Sequence, residues 1–148
     1  MTTDTILKQL PYEAPFLFVD AVEHIDDMGV EGDFTFRKEM DFYKGHFKDN
    51  PVTPGVILTE CCAQIGLVCL GIFLLHGEQE VKNPKIGLSS SQMEFYKPVL
   101  PGEKVKVVSK KIYYRFHKLK CEVRMYDTND DMVCKGVLAG MLKGDVNG

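Results

Sequence analysis

His46 and Glu60 bracket a segment whose residue types could do acid–base chemistry. Gly45-His46-Phe47 comes first, then Asn50-Pro51-Val52-Thr53-Pro54-Gly55-Val56, then Glu60 within an apolar run. The histidine precedes a helix that enters at Pro54-Gly55, and the glutamate lies about one turn inside it. At ~1.5 Å rise per residue, Glu60 stands only about 8 Å along the axis from Gly55. A helix mouth presents backbone N–H groups without partners and the positive end of the dipole. A carbonyl oxygen placed at Gly55 is therefore polarised. An imidazole accepts a proton near neutral pH. A carboxyl on an apolar wall loses solvation as an anion, so it holds its proton to higher pH. Base, acid and oxyanion site together suit removal of a proton beside a carbonyl, coupled to loss of a hydroxyl group.

Plainer readings exist for each residue. A loop histidine is more often structural than catalytic, and a buried glutamate often caps or pairs. His24, His76 and His117 read as strand end, helix end and turn. Cys61 and Cys62 read as core fillers, since no histidine motif adjoins them. No metal-ligand cluster or nucleotide loop competes with the pair.

The elements that must position these residues can be sketched from periodicity. Residues 3–10 fit a short helix capped by Thr3 or Asp4. Phe16 to Ile25 and Val30 to Phe36 read as strands joined by the turn Asp26-Asp27-Met28-Gly29; the second alternates with period two. Asp41 to Gly55 is a loop, and its aromatic content suggests that it packs down. Val56 to Leu75 is the most apolar stretch, with only Thr59, Glu60 and Gln64 strongly polar. It has the length of a membrane span. The polar residues of its first half, the Pro54-Gly55 entry and the His76-Gly77 exit favour a buried central helix instead. Gly77 to Lys85 reads as a polar loop. Strands follow at Ile86 to Tyr96, Lys104 to Arg115, Lys118 to Tyr126 and Met132 to Leu142, and Lys143 to Gly148 reads as a frayed tail. A helix apolar all round needs a sheet about it. The expected architecture is α+β, an antiparallel sheet curled around one helix, with a second subunit covering what one sheet leaves bare.

Composition is that of an ordinary globular chain: 148 residues, 45% hydrophobic and 26% charged, with net charge −3. One domain over residues 1–148 is expected, and disordered, collagen-like and generic cationic nucleic-acid-binding classes are excluded. Charge is unevenly spread. Residues 1–60 hold 12 acids and 5 bases, residues 61–148 hold 9 acids and 13 bases, and half of all bases lie between Lys97 and Arg124. Solvated strand faces account for that run, and steering of an acidic partner is the alternative. The cysteines are Cys61, Cys62, Cys69, Cys121 and Cys134, an odd number with no C-x-x-C. Neither a disulfide framework nor a zinc site is expected. Met1 to Gln9 is polar and lacks a cationic start before an apolar run, so a reducing cytoplasm is the expected compartment.

Gly45-His46-Phe47-x-x-Asn50-Pro51-Val52-x-Pro54-Gly55-Val56-Ile57-Leu58-x-Glu60-Cys61-x-Ala63-Gln64 resembles the signature of the 3-hydroxyacyl-[acyl-carrier-protein] dehydratases of the hot-dog fold. Leu10-Pro11-x-x-x-Pro15-Phe16-Leu17-Phe18-Val19-Asp20 resembles that family's opening, and Phe95-x-Lys97-Pro98-Val99-Leu100-Pro101-Gly102-Glu103 its mid-chain strand and turn. The segments keep the family's order and span most of the chain. The resemblance implies a long helix wrapped by an antiparallel sheet, a homodimer or a trimer of such dimers, and two active sites at the dimer interface. It implies that His46 and Glu60 are the catalytic pair, with Glu60 contributed by the neighbouring subunit. The N–H of Gly55 would hold the thioester carbonyl, with Val56 beside it. A glutamate there resembles the broad-range branch; the isomerising branch carries aspartate. The implied partner is an acidic acyl carrier protein, whose phosphopantetheine carries the substrate; no cofactor or metal resident in the enzyme, no nucleic acid and no membrane span is implied. The implied reaction turns a (3R)-3-hydroxyacyl thioester into a trans-2-enoyl thioester, in fatty-acid or related acyl-chain synthesis such as pigment or polyketide assembly. A hot-dog thioesterase and a non-catalytic acyl- or carrier-binding subunit are the rival readings. Three stretches depart from the family: Lys48-Asp49 replaces Pro-Gly, Tyr12-Glu13 replaces His-Arg, and Ser89-Ser90-Ser91 replaces a Gly-Ile-Asp-like stretch.

Overall fold

In the computed structural model, which describes residues 1–78 and 81–146, six antiparallel strands form one sheet around a long helix. The elements are α1 (Thr3–Gln9), β1 (Ala21–Asp26), β2 (Gly29–Thr35), the central helix α2 (Gly55–Glu78), β3 (Val81–Phe95), β4 (Lys104–Arg115), β5 (Lys118–Tyr126) and β6 (Met132–Val146). A 3₁₀ turn at Asp41–Lys44 lies between β2 and α2. Strand order is β1-β2-β4-β5-β6-β3, which leaves β1 and the 15-residue β3 at the edges.

The α2 helix is long and apolar enough to span a membrane, yet most of it is buried inside the fold, as a core helix is. Val105, Val107, Leu119, Cys121, Val123, Met125 and Leu138 of the sheet's inner face are essentially inaccessible beside Ile65, Leu67, Cys69, Leu70 and Ile72 of the helix. Lys104 and Lys106 alternate with those inner valines and project outward, the period-two pattern of a half-buried strand.

α2 changes winding in its middle: Gly55–Ala63 and Leu70–Glu78 are α-helical, and Gln64–Cys69 is a π-helix. Gly66 sits in that segment, pressed onto the sheet. A Cβ there would lie 2.8 Å from Val123 Cγ1 and 3.1 Å from Ser109 Cβ. The buried Ser109 hydroxyl donates to the Gly66 carbonyl at 2.8 Å. Gly66→Ala gains about 1 kcal/mol of helix preference but overpacks the contact at a cost of about 2–3 kcal/mol. The expected net loss of about 1–2 kcal/mol is measurable as a lower urea midpoint.

Several expected boundaries move, each for a physical reason. Thr2, not Thr3 or Asp4, caps α1, and its Oγ1 accepts from the Thr5 N–H at 3.2 Å. The first strand begins at Ala21 rather than Phe16. The intervening backbone is taken by a side chain: the Phe18 N–H donates to Gln64 Oε1 at 2.8 Å, and Gln64 Nε2 donates to the Phe16 carbonyl at 3.0 Å. The loop placed over Gly77 to Lys85 is shorter. The helix runs to Glu78 and β3 starts at Val81, with residues 79–80 outside the described residues. The supposed tail is strand to Val146, because Lys82 and Val81 pair with Asp145 and Val146. Backbone pairing needs no apolar side chains, so two polar segments mate unseen by hydropathy. Residues 147–148 of that tail lie outside the described residues.

Candidate active site

His46 follows the 3₁₀ turn and is half-buried. It is tied twice to Val52: the Val52 N–H donates to the His46 carbonyl at 2.8 Å, and His46 Nδ1 lies 2.9 Å from the Val52 carbonyl. A carbonyl only accepts, so Nδ1 carries the hydrogen and the neutral ring leaves Nε2 with a free lone pair. The imidazole stacks on Phe47, with ring centres 4.2 Å apart. The loop is fixed at both ends. Tyr43 and Thr53 are buried with their hydroxyls 2.5 Å apart, and the Thr53 N–H donates to the Val99 carbonyl at 2.9 Å.

Val52 and Thr53 lead through Pro54 into α2. No side chain caps this helix. Among the described residues the Gly55 and Val56 N–H groups have no backbone acceptor, whereas those of Ile57 and Leu58 bond to the Pro54 carbonyl. Two free donors thus stand at the positive end of a 24-residue helix. Val56 is 77% exposed, and the Phe95 ring of β3 would touch a Cβ added at Gly55 at 3.4 Å. The mouth is open on one side and walled by an aromatic ring on the other.

Glu60 is one turn further along and half-buried. Burial holds its carboxyl above the usual carboxylate range, and the Gln64 N–H, 3.0 Å from Oε2, partly offsets this. Gln64 is fully buried with its amide wholly committed: Oε1 to Phe18, Nε2 to both Phe16 and Glu60. It fixes the carboxyl against the segment that precedes β1. Tyr12, which stands where the resembling family has histidine, has its phenol pushed up to about 12 by burial and then by the Glu60 charge.

One chain positions His46 and Glu60 but does not join them. Among the described residues no hydrogen bond or ion pair links the two: His46 is held by Val52 and Glu60 by Gln64. Beside the first turn of α2 lies a cavity of about 630 Å³ whose lining includes Phe16, Phe18, Phe34, Met40, Phe42 and Ile57. Ile57 and Glu60 share a helix face.

The remaining candidates fall elsewhere. His24 bonds Asp26 on β1, His117 bonds Glu78 in the β4–β5 turn, and His76 is exposed near the end of α2. All five cysteines are buried and unbridged. Burial holds the Cys61 thiol well above the ordinary thiol range, and the Cys62 thiol is held there by its Cys134 contact and by burial. No group of three or more His, Cys, Asp or Glu is placed to hold a metal ion among the described residues. Gln64, Tyr43 and Thr53 were missed as positioning residues. For Gln64 a signal existed, because an amide inside an otherwise apolar helix must find buried partners.

Comparison with known proteins gives the same family. The FabA-like domain model matches residues 10–136. The chain is 35% identical over 104 residues to the 3-hydroxyacyl-[acyl-carrier-protein] dehydratase FabZ of Geobacter metallireducens, covering 69% of this chain and 67% of that one. It is 32% identical over 142 residues to the FabZ of Caldicellulosiruptor bescii, covering 95% and 97%. Among solved structures, the dehydratase heterocomplex ApeI:P of Xenorhabdus doucetiae superposes with a TM-score of 0.79 at 14% identity, covering 97% of this chain and 93% of that one. A hypothetical thioesterase from Streptococcus pneumoniae, solved with coenzyme A, gives 0.62 at 13% identity, covering 86% and 88%. At these identities the structural likenesses speak to the hot-dog fold alone. By the family model and the sequence relatives, the chain belongs to the FabA-like family and, within it, to the 3-hydroxyacyl-[acyl-carrier-protein] dehydratases.

Proposed function

We propose that this chain dehydrates (3R)-3-hydroxyacyl-[acyl-carrier-protein] to the trans-2-enoyl thioester and water, with His46 as base, Glu60 as acid and the Gly55–Val56 amides as oxyanion site. The observation that carries this reading is the bare Nε2 of His46, fixed by Val52, beside an uncapped helix mouth. The thioester carbonyl accepts from the Gly55 N–H. His46 Nε2 takes a proton from the α-carbon, and the Cα–H electron pair delocalises onto the carbonyl. Donors aimed at that oxygen stabilise charge as it develops, where preorganisation acts most strongly. The pair then forms the Cα–Cβ double bond as the 3-hydroxyl leaves with the Glu60 proton, as water.

The pair is completed across two subunits. β3 offers a 15-residue open edge for antiparallel pairing with a second copy, and at its end the exposed Phe95 stands beside Gly55 at the helix mouth. The cavity beside Ile57, mostly apolar in its lining, is the room for the acyl chain. The homodimer works in the cytoplasm, as one domain, with no cofactor beyond the arm its carrier brings.

Mass spectrometry of carrier-bound 3-hydroxyacyl substrates of several lengths tests the reaction. The expected result is loss of about 18 Da, one water, with the thioester intact. Release of free acid and thiol would instead identify a thioesterase, and no change in mass a non-catalytic binder.

Gln64→Leu removes the donor that offsets the burial of Glu60. The Glu60 pKa then rises further, so the pH-rate limb that belongs to it moves to higher pH, and kcat falls about tenfold or more as the carboxyl loses its anchor. Rate measurements across pH check this. A merely structural role would lower the rate without moving the limb.

A further inference from the structure

The basic stretch of the sequence divides in two on the sheet. Towards the helix mouth, cations have acids beside them: Lys97 with Asp127 and Asp131, Lys104 with Asp33, Lys106 with Glu31; Arg124 pairs with Glu122. At the far end of the sheet they do not. Arg115 stands directly across the hairpin from Lys118, and Lys85 directly across from Lys143. None of these four makes an ion pair among the described residues; Arg115 lies over the Tyr113 ring, 4.4 Å from its centre. Like charges opposite one another on a sheet destabilise it. Here two such pairs are neighbours, because Lys118 pairs with Met141, two residues from Lys143. Their neighbours in sequence Leu119 and Leu142 are buried, so all four cations point to the outer face.

Phe116 forms the tip between them. It is 94% exposed and has a left-handed backbone, φ 50°, as does His117, φ 58°. That conformation is unfavourable for a bulky side chain. The turn is nonetheless held in place: His117 bonds Glu78 at 3.2 Å, and the Leu142 N–H donates to the His117 carbonyl at 2.8 Å. Met141, also on the outer face, is 47% exposed. Folding explains neither a projecting phenylalanine on a fixed turn nor cations around it that have no carboxylate partner among the described residues.

We propose that this end of the molecule seats on an anionic lipid surface, with Phe116 entering the headgroup layer and Arg115, Lys118, Lys143 and Lys85 facing lipid phosphates. A convex apolar tip ringed by cations needs no matching pocket in a fluid surface, and a lipid surface satisfies both features together. The patch is separate from the reaction site. Within one chain it adjoins Glu78, about 35 Å along α2 from Gly55.

Vesicle co-sedimentation of the intact protein tests this. Binding to vesicles of about 30% phosphatidylglycerol in phosphatidylcholine should exceed binding to pure phosphatidylcholine at least tenfold, and should weaken as salt is raised. Phe116→Ser and Lys118→Glu should each lower that binding about tenfold while circular dichroism and turnover of soluble substrate stay unchanged. Equal partition onto both vesicle types, or full binding by both variants, overturns the proposal. A Phe116→Ser change in sedimentation velocity without vesicle binding also overturns it, assigning the face to a second copy.

Discussion

His46→Ala is expected to lower kcat for dehydration about 10³-fold while leaving the protein folded. The size follows from what is removed. The ring brings a nitrogen, Nε2, with a free lone pair, and its other nitrogen is occupied by Val52. The substitution leaves the Val52 carbonyl exposed to solvent rather than buried, since this loop is only half-covered. Backbone bonding between His46 and Val52 persists, because it uses main-chain atoms. The Gly55 and Val56 amides also persist, so substrate binding should change far less than turnover, a loss in kcat with KM nearly constant. Steady-state kinetics with a carrier-bound substrate, alongside a thermal melt, separates this from unfolding. Near-normal turnover removes His46 from the mechanism.

How much of this was legible in residues differs from element to element. Val56 to Leu75 announced a buried helix because a twenty-residue stretch with only three strongly polar residues must be hidden in a soluble fold. Lys104-Val105-Lys106-Val107 announced a strand because alternate residues meet water and core. Phe16 to Asp20 misled, since its extended apolar look is the same whether its partner is a strand or the amide of Gln64, 46 residues away from Phe18. Lys143 to Val146 misled in the opposite sense, being polar and near the chain end yet paired along β3. The π-helical middle of α2 leaves no mark in hydropathy. It accompanies a close approach at Gly66, where Ser109 reaches the helix backbone. For the site, residue types named His46, Glu60 and Gly55, but only geometry gives the tautomer of His46 and the clamp on Glu60. The basic run is the clearest case of what a linear reading hides. Lys97 and Lys118 look alike in sequence, yet one is held between two aspartates and the other faces an arginine.

Glu60→Gln is expected to cost about 10²–10⁴-fold in kcat, because the amide cannot give the leaving hydroxyl a proton. Its consequence for assembly is more telling than its size. If each site takes His46 from one subunit and Glu60 from the other, a mixed dimer of the two variants contains one site with both lesions and one with neither. Random exchange of equal amounts makes half of the dimers mixed, and half of the sites in those are intact, so about one quarter of wild-type turnover should return. If both residues of a site came from a single chain, every site in the mixture would carry one lesion and nothing would return. The test does not depend on the absolute rate of either variant. It requires only that each be nearly inactive alone and that subunits exchange, by brief unfolding and refolding together or by co-expression. The open edge of β3 and the separate anchoring of His46 by Val52 and Glu60 by Gln64 favour the first outcome. In that arrangement each chain holds one half of the chemistry rigid, and pairing along β3 brings a base from one helix mouth to an acid on the other. Mixtures that stay inactive, with exchange verified by mass spectrometry, would place both groups of each site on one chain and remove the shared interface from the mechanism.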